Sequence, residues 1–259
     1  MNPVQARRRI IYKSRREIEL MREAGKIVSE VLRSISELAK EGVTTAQLDD
    51  RAVKVAEKYG AELAFFGYRG FPAHICTSIN EEVVHGIPGP RALKNGDIVS
   101  LDVGIRFKEY HADAAETFPV GAISPETQRL LDVCRESLNL AIRAALLGSH
   151  LSAVSKSIQN FVESNGFSVV KDFVGHGIGR SLHEEPQVPN FFTPGKFTVD
   201  VMLKSGITIA IEPMVNAGSS DVEILSNRWT VVTTDRKPSA HFEHTVAVTE
   251  EGPVILTLP

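Results

Sequence analysis

Apolar residues along the first sixty positions recur at helical spacing and predict a pair of helices. Ser14 and Glu17 form the pattern of a capping box, in which each side chain bonds the backbone N–H of the other residue, so a helix should follow. Apolar positions then alternate in steps of three and four residues, and Gly42 supplies a C-terminal stop. Thr44 opens a second predicted helix, which Gly60 closes.

A second helix pair is predicted further along the chain. Serine followed by proline at 124–125 is typical of a helix start, and this helix should run to Gly148. Another helix is predicted from about 152 to Gly166. An offset of 106 residues carries the two glycine stops of the first pair onto Gly148 and Gly166. The matched stops favour an internal duplication over coincidence.

Two segments alternate apolar with small or polar residues and predict strands that each end in a carboxylate. Residues 96–103 and 206–212 both show this period of two. At an offset of 110 residues, Asp102 corresponds to Glu212. An unpaired carboxylate at the end of a buried strand is costly, so a positive partner is expected between the two.

Lysine or arginine partners would make these acids structural ion pairs, and a metal is the other candidate. Further ligands of the right type are present: Asp113 on the next predicted strand, Glu243 on a late strand, and His176 between two glycines. Four carboxylates and one imidazole suit hard or borderline divalent cations. Because four negative charges balance two divalent ions, the sequence favours a two-metal site.

Composition excludes several other classes of protein. The chain has 259 residues, 42% of them hydrophobic, and a formal charge of −3, which indicates a globular protein whose main ligand is not nucleic acid. No apolar run approaches the ~18 residues of a membrane span. Two cysteines, Cys76 and Cys134, fit a reducing compartment. Nucleophile-elbow, HExxH and phosphate-loop motifs are missing from the sequence.

Short motifs occur in a fixed order along the chain. They are HGIP at 85–88, Asp102, HAD at 111–113, GHGIG at 175–179, HEEP at 183–186, IEPM at 211–214 and FEHT at 242–245. This ordered set resembles that of the type I methionine aminopeptidases, and the resemblance covers nearly the whole chain from about residue 14 onward. It implies an α+β "pita-bread" fold, in which two pseudo-symmetric halves place helices outside a curved antiparallel sheet with a dinuclear site between them.

The resemblance also implies a role for each proposed ligand. Asp102 is expected to chelate one metal, Asp113 and Glu243 to bridge both, and His176 with Glu212 to complete the second. The implied cofactors are two divalent ions, drawn from Co, Mn, Fe or Zn. The water that they share would be the nucleophile, and Glu212 would move its proton as general base and then acid.

Substrate contacts follow from the same resemblance. His85 and His183 are expected beside the scissile bond, where they steady the peptide nitrogen and the developing oxyanion. The other five histidines are expected to be core or surface residues, and period-two counting turns His244 away from Glu243. Six residues are expected around the methionine side chain, a thioether suited to aromatic walls: Phe65, Tyr68, Phe71, Cys76, Leu182 and Trp229.

The predicted organisation is a basic N-terminal arm at 1–13, interpreted as solvated, followed by one catalytic domain at 14–259. The halves of this domain are about 14–123 and 124–259. The predicted function is removal of the initiator methionine from nascent proteins when the second residue is small, by a cytoplasmic monomer that touches the ribosome transiently and binds neither membranes nor specific nucleic acid.

Two alternatives remain at this point. A proline-directed peptidase of the same fold would carry a sizeable N-terminal domain, whereas about thirteen residues precede the first predicted helix. A metal-free protein of this fold that binds ribosomes or RNA would be expected to have lost metal ligands, whereas all five are present.

Overall fold

The computed structural model describes residues 9–193 and 200–259, which form four α-helices and fifteen β-strands. The helices are α1 Arg15–Leu38, α2 Thr45–Lys58, α3 Pro125–Ala144 and α4 Leu151–Ser164. The strands are β1 Glu62–Leu63, β2 Cys76–Ile79, β3 Glu82–Val84, β4 Ile98–Phe107, β5 Tyr110–Pro119, β6 Ser168–Val169, β7 Gly175–Gly177, β8 Glu184–Val188, β9 Thr208–Ile211, β10 Met214–Asn216, β11 Val222–Ile224, β12 Val231–Thr233, β13 Ser239–His241, β14 Glu243–Thr249 and β15 Gly252–Ile255.

The helix starts predicted from the sequence are confirmed by their caps. The Ser14 hydroxyl accepts from the Glu17 backbone N–H at 3.3 Å, and the Glu17 carboxylate accepts from the Ser14 N–H at 2.8 Å. Thr44 caps α2 in the same way, and Ser124 caps α3. In the part of the chain that the structure describes, no helix is both long and apolar enough to cross a bilayer.

One large antiparallel sheet forms the centre of the protein, and together with the helices it makes the fold α+β. Its nine strands run in the order β1-β4-β5-β14-β9-β7-β8, with β2 pairing β4 and β15 pairing β14. Two three-stranded sheets, β13-β10-β6 and β11-β12-β3, complete the described strands. Strand β14, near the end of the sequence, therefore lies between β5 of the first half and β9 of the second half.

Each helix pair packs its own hydrophobic core. Residues of α1 and α2 pack with β4, whereas residues of α3 and α4 pack with β9. The offset of 106 residues relates both ends of α2 to both ends of α4. The two glycine stops have left-handed φ angles of 86° at Gly42 and 82° at Gly148, and their N–H groups donate to Leu93 and Leu203, respectively.

The sequence predicts that the basic arm at 1–13 is solvated, and the structure shows that this is wrong for its last residue, Lys13. Residues 1–8 of the arm lie outside the described residues, and Arg9 is exposed. Lys13 is buried: its backbone N–H donates to Gly206 at 2.7 Å, and its ammonium lies 2.5 Å from the Glu184 carboxylate. The two side chains are only 4% and 7% exposed, so this ion pair ties the N-terminal segment to β8.

Replacing Lys13 by methionine should lower the free energy of unfolding by about 3–5 kcal/mol, because Glu184 is left buried without its partner charge. A urea titration at neutral pH measures the change. Lys13→Met combined with Glu184→Gln should recover most of the loss, because no charge is then buried.

The matched control is Lys108→Met, which breaks an ion pair with Glu23 whose side chains are 51% and 46% exposed. An exposed pair of this kind should contribute less than about 1 kcal/mol. Equal urea midpoints for Lys13→Met and Lys108→Met would contradict the structural importance of the buried pair.

Candidate metal centre

Four neighbouring strands carry one row of side chains across the large sheet. Cys76 on β2 pairs with Asp102 on β4, Asp102 pairs with Ala115 on β5, and Ala115 pairs with Glu243 on β14. Side chains in one such row project from the same face of a sheet. The register of the strands therefore brings Asp102 and Glu243 to one face.

Glycine allows His176 to approach this face closely. His176 on β7 pairs with Ala210 on β9, the strand that Glu212 directly follows. A Cβ atom added at Gly175 would lie 2.3 Å from the Ala210 carbonyl oxygen, and one at Gly177 would lie 2.2 Å from the Glu185 carbonyl oxygen. The glycines on both sides of His176 are thus required by close backbone packing.

The five predicted ligands converge on one cavity. Asp113, His176 and Glu243 each offer a ligand atom, and these atoms lie within 4.8 Å of one another. The His176 Nε2 atom is 3.6 Å from Glu212 Oε1 and 4.0 Å from Asp113 Oδ2. Asp102 also lines the cavity, where its charge interacts with that of Asp113.

The carboxyl groups destabilise one another in their charged forms. Burial, followed by the charges of neighbouring carboxylates, raises the pKa of Asp102, Glu212 and Glu243 well above the usual range. Burial also raises the pKa of Asp113. One buried oxygen each of Asp102, Asp113 and Glu243 has no hydrogen-bond partner among the described residues. Such a cluster lacks a compensating positive charge.

A divalent cation fits the orientation of the imidazole. His176 Nδ1 lies 2.9 Å from the Gly177 carbonyl oxygen, to which it donates, so Nε2 presents a lone pair to the Asp113 and Glu212 oxygens. A lone pair facing carboxylates is repulsive unless a cation lies between them. Within residues 9–193 and 200–259, the ion-pair contacts of Asp113, Glu212 and Glu243 involve histidines and no lysine or arginine. The donor set therefore favours a metal over structural ion pairs.

The two histidines predicted to contact substrate lie at the same cavity. The ring centroid of His183 is 4.1 Å from that of His176, and the His183 ring also stacks on Tyr68 with centroids 5.1 Å apart. His85 meets the Trp229 ring edge-on at 6.4 Å. Burial lowers the pKa of His85 to about 4, so this imidazole is neutral at physiological pH.

All six residues predicted for the methionine pocket line the cavity. Phe71 meets Trp229 edge-on with ring centroids 5.1 Å apart. Phe65 packs against the bare backbone of Gly104, where a Cβ atom would lie 2.5 Å from its ring. Four members are buried (Phe65, Phe71, Cys76 and Leu182), whereas Tyr68 and Trp229 are partly exposed.

Sequence reasoning missed one residue that lines this cavity and one that lies behind two of its carboxylates. Arg69 lines it, with its guanidinium 5.3 Å from the centre of the Tyr68 ring. His241 is buried, as expected, but its Nε2 lies 4.0 Å from both Glu212 Oε2 and Glu243 Oε2. Period-two counting could have found it, because residues two apart on an extended chain share a face.

Two other histidines have the packing roles expected of them. His111 Nδ1 lies 3.2 Å from the Gly179 carbonyl oxygen, and His244 Nδ1 lies 2.8 Å from the Thr257 hydroxyl. Neither ring is among the groups that line the cavity.

Comparison with known proteins gives the same family over nearly the whole chain. Residues 19–250 match metallopeptidase family M24. The methionine aminopeptidase of Clostridium perfringens is 51% identical over 249 residues, which cover 96% of this chain and 99% of that protein. The methionine aminopeptidase of Escherichia coli is 44% identical over 251 residues, which cover 96% of this chain and 94% of that protein.

Comparison with solved structures gives the same family. The crystal structure of methionine aminopeptidase from Thermotoga maritima aligns with a TM-score of 0.94 at 44% identity and covers 97% of this chain and 100% of that one. The prolidase of Pyrococcus furiosus aligns with a TM-score of 0.79 at 21% identity, covering 96% of this chain and 66% of that one, which is a likeness of fold alone. The predicted pita-bread fold is confirmed. The chain belongs to metallopeptidase family M24, among the methionine aminopeptidases of bacterial length.

Proposed function

We propose that the protein is a methionyl aminopeptidase that removes the N-terminal initiator methionine from nascent proteins when the second residue is small. The observation that carries this proposal is a buried cluster of four carboxylates and an imidazole that shares one cavity with an apolar, aromatic pocket. The cluster suits hydrolysis, and the pocket suits a flexible thioether side chain. Membership of the methionine aminopeptidases supports the same substrate class.

The centre is proposed to hold two divalent ions. Asp102 would hold one ion, Asp113 and Glu243 would be shared by both, and His176 and Glu212 would complete the second. The charge balance of the cluster and the lone pair on His176 Nε2 support this arrangement. When bound, the ions supply Lewis acidity and activate water at neutral pH; Co, Mn, Fe and Zn all suit the donor types.

The protein side chains position the peptide and move the proton. Glu212 accepts a proton from the attacking water at Oε1, the oxygen on the side of His176, and returns it to the leaving amine. His183 at the rim and His85 across the cavity present neutral imidazoles to the scissile peptide. An imidazole N–H stabilises the developing oxyanion, and a bare ring nitrogen accepts from the peptide N–H. The stack of His183 on Tyr68 restricts that ring to one orientation.

We propose one catalytic domain at 14–259 with halves of about 14–123 and 124–259. The common offset of the helix pairs and their separate cores support an origin by duplication. The substrate class and the two free, buried cysteines support a cytoplasmic enzyme. A monomer that contacts the ribosome transiently is the proposed working form.

Cleavage of Met-Ala-Ser should exceed cleavage of Met-Lys-Ser by a large factor, because a long second side chain obstructs the approach to the metal centre. Steady-state release of methionine from each peptide measures the ratio. Equal turnover of the two peptides would contradict the specificity, and cleavage of X-Pro peptides alone would indicate the proline-directed alternative instead.

Asp113→Asn and Glu243→Gln should each reduce the number of bound ions, because each removes charge from a bridging ligand while preserving volume. The decrease in kcat/KM should be larger than the decrease of about 10–100-fold that is typical when a residue that only supports a ligand is replaced. Metal analysis after dialysis and titration calorimetry measure binding, and exhaustive EDTA dialysis of the unaltered protein should abolish activity.

The matched control is Glu116→Gln, on the same strand as Asp113, because the Glu116 carboxylate lies 3.6 Å from Arg135 and outside the cavity. Metal content should not change in this variant. Unchanged metal content and rate in Asp113→Asn and Glu243→Gln would refute the bridging assignment.

His183→Ala should lower kcat by about 10²–10³-fold, the usual loss for a donor to a developing oxyanion. Metal content should be unchanged, because the His183 ring lies beside the ligand cluster without belonging to it. Stopped assays and metal analysis separate these effects, with the exposed His150→Ala as a control. If metal content fell by the same factor as kcat, the proposed role of His183 as a donor to the oxyanion would be contradicted.

A further inference from the structure

His241 is a buried imidazole held firmly beside the metal centre. It ends β13 and pairs with Met214 on β10. The Thr117 hydroxyl accepts from the His241 N–H at 2.9 Å and donates to the His241 carbonyl oxygen at 2.8 Å. Both backbone groups are therefore held in place, and only 2% of the residue is exposed.

The Nε2 atom of this ring faces two carboxylates. It lies 4.0 Å from Glu212 Oε2 and 4.0 Å from Glu243 Oε2, and it has no hydrogen-bond partner among the described residues. An ionised carboxylate only accepts hydrogen bonds, so the tautomer that suits this position carries its proton on Nε2. His176 has the opposite arrangement, with its proton on Nδ1 and a bare Nε2.

Glu212 is the better partner of the two. Its Oε1 is 3.6 Å from His176 Nε2 and its Oε2 is 4.0 Å from His241 Nε2, so one carboxylate lies between two imidazoles. The Glu212 side chain is 14% exposed, whereas that of Glu243 is 3% exposed and has less room to turn. A shift of about 1 Å brings Glu212 Oε2 within hydrogen-bonding distance of His241.

We propose that His241 is a positioning residue for Glu212: its Nε2–H donates to Oε2 and thereby holds Oε1 on the side of His176. This inference rests on the proposed metal centre. Without the donor, Oε2 would be a buried acceptor with no partner, and the carboxylate could rotate away from the ions. Groups that orient a ligand in this way commonly change metal affinity when they are replaced.

Metal-free protein titrated with Zn²⁺ against a chromophoric chelator tests the proposal. His241→Leu and His241→Met remove the donor and should weaken Zn²⁺ binding about 10–100-fold, whereas His241→Gln retains an N–H and should stay within about threefold of the unaltered protein. Melting in EDTA checks that each variant folds. If both apolar variants bind Zn²⁺ normally, or His241→Gln loses as much affinity as they do, the proposal is overturned.

A double-mutant cycle identifies the partner. His241→Leu should cost no further Zn²⁺ affinity in a Glu212→Ala background, which has no side-chain acceptor, but should still do so in a Glu243→Ala background. The reverse pattern would overturn the assignment to Glu212.

His244→Leu removes an imidazole that bonds Thr257 outside the cavity, and it should leave affinity unchanged. A loss equal to that of His241→Leu would attribute the effect to general disturbance of the strands and overturn the proposal. Activity of the unaltered protein on Met-Ala-Ser tests the proposed function separately. If the protein did not cleave this peptide, the comparison of Zn²⁺ affinities among the His241 variants would still be valid.

Discussion

Four carboxyl groups and an imidazole share a cavity in which burial raises the pKa of every acid. The mutual repulsion of the four carboxylates is the physical constraint on which the remaining structure depends. Buried carboxylates without a counter-charge would disfavour folding or would take up protons. Divalent cations would offset this repulsion. The crowding that disfavours the metal-free carboxylates therefore favours metal binding.

Backbone contacts between distant strands maintain this crowding. The Asp113 N–H donates to the Thr245 hydroxyl at 2.9 Å, and that hydroxyl donates back to the Asp113 carbonyl oxygen at 2.8 Å. Thr117 holds His241 in the same reciprocal way on the other side of Glu243. Two threonines thus connect β5 to the segment that carries the last ligand. A site built on paired strands keeps its ligands in place more rigidly than one built on loops.

The substrate side depends on a different set of contacts. Tyr68 and His183 stack on each other, and the Phe65 ring fits against the backbone only because Gly104 has no side chain. Glu184, the residue after His183, is buried against Lys13 from the N-terminal segment. The segment that precedes the first helix therefore supports the strand that follows His183, the proposed substrate contact, through one ion pair.

Local rules determined much of this protein from its sequence. Caps located the starts of α1, α2 and α3, and glycine stops indicated where the helices end, since both signals depend on neighbouring residues alone. Motif order gave the set of cavity residues and, by resemblance, their proposed roles. Tertiary structure alone decided that Lys13 is buried, that the late strand breaks at Phe242 into β13 and β14, and that β14 lies between β5 and β9. It also decided that His241 lies beside Glu212 as well as Glu243. Strand order and burial arise from contacts between residues far apart in the sequence, and no local pattern encodes which of those distant partners will meet.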